Sequence, residues 1–275
     1  MRTLTMGFLT LNQPPAGNAS PIDTVKAAAF GGFRSVGLRI TGRRPEDQYP
    51  SVVGDAAMTR ELRNFASDRG LRLSSTIGYG FFPELKMADH ARVVETTAAL
   101  GAELIMLNVY FEQPLAFVDT FAEFCAIAKQ HRIRVGIEFM PFSGLKTLQQ
   151  TDQVITKSGV TNGGIIVDAL HLARSGGVPA DLAKIDSTRI FIGQICDGKK
   201  ANRQATDEEL RAEARAHRLY PGEGDFPLHE LVAALPADIE LEYEVPRSDQ
   251  QGLRLAERAK QAHEKFVEFI AETDG

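Results

Sequence analysis

The chain has 275 residues, of which 43% are apolar and 24% are charged, a composition that supports a buried core and argues against a disordered protein. Lys and Arg number 31 against 36 Asp and Glu, which gives a formal net charge of −5 at pH 7. Because proteins that bind phosphate backbones depend on basic surfaces, we expect no nucleic-acid partner.

Short aliphatic segments alternate with longer segments of helical period along the chain. The predicted strands cover residues 3–9, 35–39, 72–77, 104–108, 135–139, 164–168, 190–196 and 239–245. The predicted helices cover residues 21–31, 58–69, 89–100, 115–131, 147–158, 206–217 and 249–271, and several of them are followed by glycine. Alternation of this kind is typical of βαβ units.

Eight such repeats in a chain of 275 residues match the roughly 250 residues of a (β/α)₈ barrel. We therefore predict an α/β fold in which residues 1–275 form a single TIM barrel domain. The alternative is a doubly wound open sheet, but no GxGxxG or P-loop pattern follows a predicted strand to support it.

The cysteines and the N-terminus predict the compartment. Cys125 and Cys196 are far apart and lack CxxC spacing, so neither a disulfide framework nor a thiolate zinc site is predicted. The N-terminal segment reaches polar residues before any apolar stretch as long as that of a signal peptide. No run approaches the roughly 18 apolar residues of a membrane span. We expect an unprocessed cytoplasmic protein without a membrane partner.

The last four predicted strands carry polar side chains near their ends. These are Glu138, Asp168, Gln194 and Glu244. A single acid in this position is more often a helix N-cap or part of a surface ion pair. Adjacent strand ends of a barrel converge on one pocket, however, and carboxylates gathered there without a cation would repel one another and lose solvation. The set therefore predicts a divalent-metal site.

The last predicted strand offers more than one acid. Glu240, Glu242 and Glu244 have the same parity and so point to the same face. The apolar residues between them suit the helix-facing side, which sends all three acids into the barrel. Glu244 is nearest the carboxyl end and is the predicted ligand. Glu242 is the alternative; otherwise it would be an interior residue paired with an Arg or Lys.

The strand-end motifs resemble those of the xylose isomerase-like sugar isomerases and epimerases, a family that includes inosose and dehydroshikimate dehydratases and the AP endonuclease. The motifs are Ile137-Glu138, Val167-Asp168 with His171, Gln194 with Asp197, Pro221-Gly222-Glu223-Gly224 and Glu244-Val245-Pro246. The resemblance implies that Glu138, Asp168, Gln194 and Glu244 bind the metal and that His171 binds a substrate hydroxyl. The AP endonuclease activity is not expected, because only His171 of the six histidines lies in these motifs.

The metal preference depends on Gln194, because many members of this family carry His at that position. An all-oxygen site favours Mn²⁺ or Mg²⁺, with Zn²⁺ or Co²⁺ as alternatives. If Gln194 does not bind the metal, it would contact the substrate, and fewer groups would hold the metal.

Further polar residues near the strand ends are candidate substrate contacts. Arg39, Asn108, Arg218 and Arg247 suit substrate hydroxyls or a carboxylate, but each is equally a surface charge or a turn residue. Asp197 is a candidate as well, although Asp-Gly-Lys more often forms a plain turn. Glu223 lies between two glycines that would let the loop backbone pass close to the site.

The resemblance implies a metal-dependent sugar isomerase or epimerase. The ion would polarise the carbonyl and stabilise an enediolate, while Glu138 and Glu244 move the proton. The first alternative is a dehydratase (lyase) that expels a β-hydroxyl from a keto-polyol or dehydroshikimate-like substrate. The second is a non-catalytic sugar-binding or partner subunit. The expected partner is a sugar or polyol-like small molecule, and the family resemblance also suggests a homo-oligomer.

Overall fold

The computed structural model describes residues 9–12, 19–44, 46–200 and 205–273. Eight parallel strands close into a barrel in the order β1 to β8. They are β1 (Leu9–Asn12), β2 (Ser35–Leu38), β3 (Arg72–Phe81), β4 (Leu104–Val109), β5 (Arg134–Glu138), β6 (Gly163–Asp168), β7 (Ile190–Ile195) and β8 (Glu240–Tyr243). The predicted (β/α)₈ barrel is confirmed.

The helices form the outer layer around this barrel. They are α1 (Pro21–Gly31), α2 (Ala56–Ser67), α3 (Met87–Leu100), α4 (Val118–Gln130), α5 (Leu148–Ser158), α6 (Ala169–Arg174), α7 (Asp207–Ala216), α8 (Leu228–Ala234) and α9 (Leu255–Thr273). Short 3₁₀ turns lie at Pro114–Phe117, Pro179–Lys184, Ser187–Arg189 and Ser248–Gln250. None of the helices in these ranges is long and apolar enough to cross a membrane.

Most predicted elements lie within a few residues of the observed ones, and the first and last differ most. Strand β1 begins at Leu9, and the rest of the predicted strand, residues 3–8, lies outside the described residues. Helix α9 begins at Leu255, because the preceding predicted residues form the 3₁₀ turn at Ser248–Gln250 and a further turn.

Local signals in the sequence define several helix ends. Ser20 caps α1, since its Oγ accepts a hydrogen bond from the backbone N of Asp23 at 3.2 Å and proline occupies the first helical position. Thr206 and Glu209 form a capping box at the start of α7. These caps fix where the chain enters the helices that surround the site.

The acids of β8 point into the barrel, as their parity predicts. Glu240 accepts hydrogen bonds from Thr10 and, at 2.6 Å, from Arg72 Nη2. Glu242 is fully buried and accepts from Asn12 Nδ2 at 2.9 Å. The expected Arg or Lys partner of Glu242 is absent among the described residues: it has neutral partners instead, and burial raises its pKa to about 8.

The helix ring closes where α1 meets α9. A Cβ atom added to Gly31 would lie 2.7 Å from the backbone C and O atoms of Ala259. Only glycine allows this close approach of the two backbones.

Candidate metal centre and active site

A cavity of about 380 Å³ opens at the carboxyl ends of the barrel strands. Its lining includes Glu138 from β5, His171 from α6 and Glu244 just beyond β8. A cavity of this size at this end of a barrel is where small-molecule sites occur.

Three predicted site residues converge at the base of this cavity, which Glu138 and His171 line and Asp168 does not. Glu138, Asp168 and His171 each offer a ligand atom, and these atoms lie within 4.8 Å of one another. All three residues are buried. Their parent elements explain the convergence, because β5 and β6 are neighbours in the sheet and α6 starts directly after β6.

Glu138 ends β5 and is held by a buried amide. Its Oε2 accepts a hydrogen bond from Asn108 Nδ2 at 2.6 Å, and its Oε1 lies 3.8 Å from His171 Nε2. Burial, and next the negative charge of Asp168, raise the pKa of Glu138 to about 7. A carboxyl group with this pKa can take up and release a proton near neutral pH.

Asp168 has two structural roles beside its place in the cluster. Its Oδ1 caps α6 by accepting from the backbone N of His171 at 2.9 Å, and its Oδ2 accepts from Arg218 Nη1 at 2.5 Å. Burial disfavours its charge, but Arg218 and then His171 outweigh burial and lower the pKa of Asp168. The N-cap alternative considered for a strand-end acid is thus present here, whereas the ion pair with Arg218 is buried and not at the surface.

His171 is uncharged in this environment. Burial lowers its pKa to about 4, its Nδ1 has no hydrogen-bond partner within the described residues, and its ring packs edge-on against Phe142. A neutral imidazole can donate a lone pair to a metal ion or bind a hydroxyl.

Glu244 faces the same cavity from just beyond β8. Its Oε2 is buried without a hydrogen-bond partner among the described residues, and Arg218 Nη1 lies 3.8 Å from it. Burial raises the pKa of Glu244 well above its ordinary value, although Arg218 opposes this shift. Arg218 also donates to the backbone O of Glu244 at 3.2 Å, so it positions this residue beside Asp168.

These residues fit a divalent cation. When ionised, the carboxylates of Glu138, Asp168 and Glu244 outnumber the single guanidinium of Arg218 by two negative charges. The Oε2 of Glu244 and the Nδ1 of His171 are buried polar atoms without a hydrogen-bond partner among the described residues. Carboxylate oxygen combined with imidazole nitrogen suits Mn²⁺, Co²⁺ or Zn²⁺.

Gln194 lies beside Asp168 in the sheet register but not in the cavity lining. Its Nε2 donates to Glu242 Oε2 at 3.1 Å and contacts Met106 Sδ at 3.5 Å. Its Oε1 is buried and has no hydrogen-bond partner in the described part of the chain. The assignment of Gln194 as a metal ligand therefore stays a prediction, and His171 adds a nitrogen donor to what the sequence alone suggested was an all-oxygen site.

The predicted substrate contacts divide into two groups. Arg39 and Arg218 line the cavity, and Arg39 Nη2 lies 3.2 Å from Asp47 Oδ2. Asn108 is buried outside the lining and holds Glu138. Arg247 pairs with Glu223 at 3.2 Å and with Asp249 at 2.6 Å.

The structure does not bring Asp197 or Glu223 into the cavity. Both oxygens of Asp197 are used by backbone amides, those of Gly198 and Phe226 on Oδ1 and those of Gly222 and Gly224 on Oδ2. Asp197 thus organises the loop, as the turn alternative expected. Glu223 is about half exposed and faces Arg247. We therefore propose neither residue as a substrate contact.

Sequence reasoning missed three charged residues of the cavity lining: Arg43, Asp47 and Arg215. Arg43 and Asp47 follow β2 within a polar segment that looks like an ordinary surface loop. Arg215 belongs to α7, whose charges suggest a solvated face. The only signal in the sequence that could have identified any of the three as a cavity residue is the position of Arg43 shortly after a strand.

The sequence is similar to proteins of known family. Residues 25–269 match the family model for the xylose isomerase-like TIM barrel. Inosose isomerase of Halalkalibacterium halodurans is 26% identical over 249 residues, 83% of this chain and 85% of that protein. 3-Dehydroshikimate dehydratase of Pseudomonas aeruginosa is 22% identical over 191 residues, 65% of this chain but 29% of that protein.

The fold has close counterparts among solved structures. The crystal structure of the IOLI protein with a binding zinc atom superposes with a TM-score of 0.79 at 19% identity, covering 99% of both chains. The closed parallel barrel, the strand-end cluster and the match over residues 25–269 agree with one another. The chain belongs to the xylose isomerase-like TIM barrel family.

Proposed function

We propose that this protein is a divalent-metal-dependent isomerase or epimerase of a hydroxy-ketone sugar or polyol. The observation that carries the proposal is that Glu138, Asp168 and His171 each offer a ligand atom within 4.8 Å of the others, next to the cavity that Glu138 and His171 line. The similarity to inosose isomerase, which covers most of both chains, supports a keto-polyol as the substrate class.

The residues that would hold the ion are Glu138, Asp168 and His171, with Glu244 and Gln194 as further predicted ligands. A bound divalent ion supplies Lewis acidity, which makes the proton next to a carbonyl easier to remove. The zinc atom in the solved IOLI structure supports a divalent ion of this kind.

The proton would be moved by the two carboxyl groups that line the cavity, Glu138 and Glu244. Glu138 keeps Oε2 on Asn108, so its other oxygen is the one available for proton transfer. Glu244 has its Oε2 buried and unpartnered within the described residues. Asp168 lies outside the cavity lining and is fixed by Arg218, which suits a residue that holds position. If His171 does not bind the ion, it would orient a substrate hydroxyl, as the family resemblance implies.

Exchange of the proton next to the carbonyl tests this mechanism directly. We would follow deuterium incorporation from D₂O into keto-inositols and ketohexoses by NMR, together with the metal content of the purified chain. Glu138→Gln and Glu244→Gln should each slow exchange by roughly 10²- to 10⁴-fold, the range for loss of a general acid or base. Glu223→Gln is the matched control, since Glu223 lies outside the cavity lining, and it should exchange at the wild-type rate.

Wild-type exchange in both cavity variants, or a purified chain that neither contains nor binds a divalent ion, would contradict the proposal. A metal-binding chain that shows no exchange with any keto-sugar would favour the non-catalytic sugar-binding alternative.

A dehydratase is the second candidate, because 3-dehydroshikimate dehydratase is among the relatives. One of the same two carboxyl groups would remove the proton, and the other would protonate the β-hydroxyl, which then leaves as water. The product is a conjugated enone, which absorbs in the ultraviolet. Appearance of that absorbance in place of an isomerised sugar would select the lyase over the isomerase.

A further inference from the structure

The charge of the cavity changes sign between its base and its rim. The base holds the carboxyl groups of Glu138 and Glu244, whereas Arg39, Arg43 and Arg215 line the more exposed part. Arg39 and Arg43 come from the segment after β2, and Arg215 comes from α7. Two separate parts of the fold therefore bring cations to one side of the cavity.

These arginines are close enough to affect one another. Burial, and next the charge of Arg43, lower the pKa of Arg39. Partial burial of the Arg215 guanidinium and then the charge of Arg43 lower the pKa of Arg215 as well. Like charges gathered in this way are unfavourable unless an anion offsets them.

The rim has little negative charge to offset these cations. Asp47 is the acid of the lining on this side, and its Oδ2 lies 3.2 Å from Arg39 Nη2 and accepts from the backbone N of Arg43 at 2.8 Å. Within the described ranges, neither the Arg43 nor the Arg215 side chain forms an ion pair. The Nε of Arg43 is buried and has no hydrogen-bond partner there.

We propose that the substrate carries an anionic group, a carboxylate or a phosphate, which Arg43 and Arg215 bind at the rim of the cavity. Arg39 completes the positive rim. A guanidinium group offers a planar fork of donors that matches both kinds of anion. A neutral polyol would leave the Nε of Arg43 without a charged partner.

This inference deepens the proposed function and rests on it for the orientation of the substrate. With the anion at the rim, the hydroxy-ketone part of the molecule would reach Glu138, His171 and Glu244 at the base. The cavity of about 380 Å³ is within the range of small-molecule sites.

Calorimetric titration with three matched compounds tests the anion site. D-Glycerate carries a carboxylate, glycerol 3-phosphate carries a phosphate, and glycerol is neutral. The full chain is titrated at fixed ionic strength, once with Mn²⁺ and once with chelator. At least one of the two anions should bind, and glycerol should bind at least roughly tenfold more weakly. The anion that binds more tightly identifies the group.

The matched variants are Arg43→Gln, Arg215→Gln and the neighbouring Arg44→Gln. Loss of a charged hydrogen-bond donor should weaken anion binding roughly 10- to 100-fold in the first two variants. Arg44 is exposed, lies outside the cavity lining and stacks over Phe82, so Arg44→Gln should bind as the wild type does. Arg215 is exposed on α7, and its substitution carries little risk to folding.

Three results would each overturn the inference: no binding of either anion in the millimolar range, equal binding of glycerol, or equal losses in Arg44→Gln and Arg43→Gln. The chain could bind an anion in the presence of chelator and still show no proton exchange with any keto-sugar. That result would support the anion site and contradict the proposed isomerase mechanism. The two failures are therefore distinguishable.

Discussion

Asn108 is a positioning residue for Glu138, although it does not line the cavity. It donates a hydrogen bond of 2.6 Å to Glu138 Oε2, and it is itself buried at the end of β4. A donor held in this way fixes the orientation of the carboxylate and favours its charged form. The sequence placed Asn108 at the right strand end, but only the contact reveals which partner it serves.

Replacing Asn108 with leucine should weaken metal binding. Asn108→Leu keeps the number and branching of the side-chain heavy atoms but removes the donor, so the affinity for Mn²⁺ should fall roughly 10- to 100-fold, the range for loss of a residue that supports a ligand. Calorimetric titration of the chelated protein measures this change. The unfolding midpoint in chelator is the control for a general loss of structure; an unchanged Mn²⁺ affinity would show that Asn108 does not position a ligand.

Strand β3 and helix α3 meet in a buried aromatic cluster. The His90 ring stacks on Phe81 with centroids 3.9 Å apart, and Tyr79 Oη lies 2.7 Å from His90 Nδ1. Phe124 packs edge-on against both stacked rings. Burial lowers the pKa of His90 to about 4, so this interface between the two elements depends on a neutral imidazole.

The pH dependence of stability should reflect this histidine. Between its ordinary pKa of 6.5 and its folded value of about 4, the unfolded chain binds one more proton than the folded chain at this position. The stabilisation is therefore present above pH 6.5 and is lost as the pH falls towards 4, by at most about 3 kcal/mol. Urea unfolding as a function of pH measures this loss.

His90→Gln is the informative variant, because glutamine stays neutral throughout this range. Its stability should fall less steeply than that of the wild type between pH 6.5 and pH 4. His131→Gln, at an exposed position after α4, should keep the wild-type slope. A wild-type slope in His90→Gln would mean that other groups account for the loss of stability in acid.

The helices and strands were largely predictable from sequence, because aliphatic runs alternate with segments of helical period. Capping residues and glycines mark where many of the helices begin and end. Helices α6 and α8 were missed, since their 6 and 7 residues are too short for a helical period to register. The proximity of Glu138 and Asp168 could be predicted from strand order, whereas a site role for His171 was implied by the family resemblance. The positions of Arg43 and Arg215 did not, because they depend on loop and helix packing between distant parts of the chain.

Closure of the whole molecule depends on contact between its first and last described helices. Helices α1 and α9 pack together at Gly31, where the backbone C and O atoms of Ala259 leave no room for a Cβ atom. Strand β1 meanwhile pairs with both β2 and β8. The sheet and the helix ring are therefore both joined across residues distant in sequence, and we expect barrel stability to depend on this seam.

Gly31→Ala should destabilise the protein despite the better helix propensity of alanine. The added methyl group would force the α1 and α9 backbones apart, at a cost of roughly 1–3 kcal/mol of unfolding free energy. Gly252→Ala is the matched control, because nothing lies within 4 Å of the position that its new methyl group would occupy and its backbone is not left-handed. Urea unfolding compares the two variants, and equal stabilities would show that the α1–α9 contact can relax without cost.

Phe142 in the wall of the cavity is a suitable position for a fluorescent reporter of ligand binding. The chain contains no tryptophan, and Phe142 lines the cavity with its ring 5.6 Å from the imidazole of His171. A tryptophan in place of Phe142 would therefore be the single indole fluorophore of the protein, beside the groups that are proposed to bind the metal and the substrate. Its emission would report the occupancy of the cavity continuously, with unlabelled ligands and without any turnover.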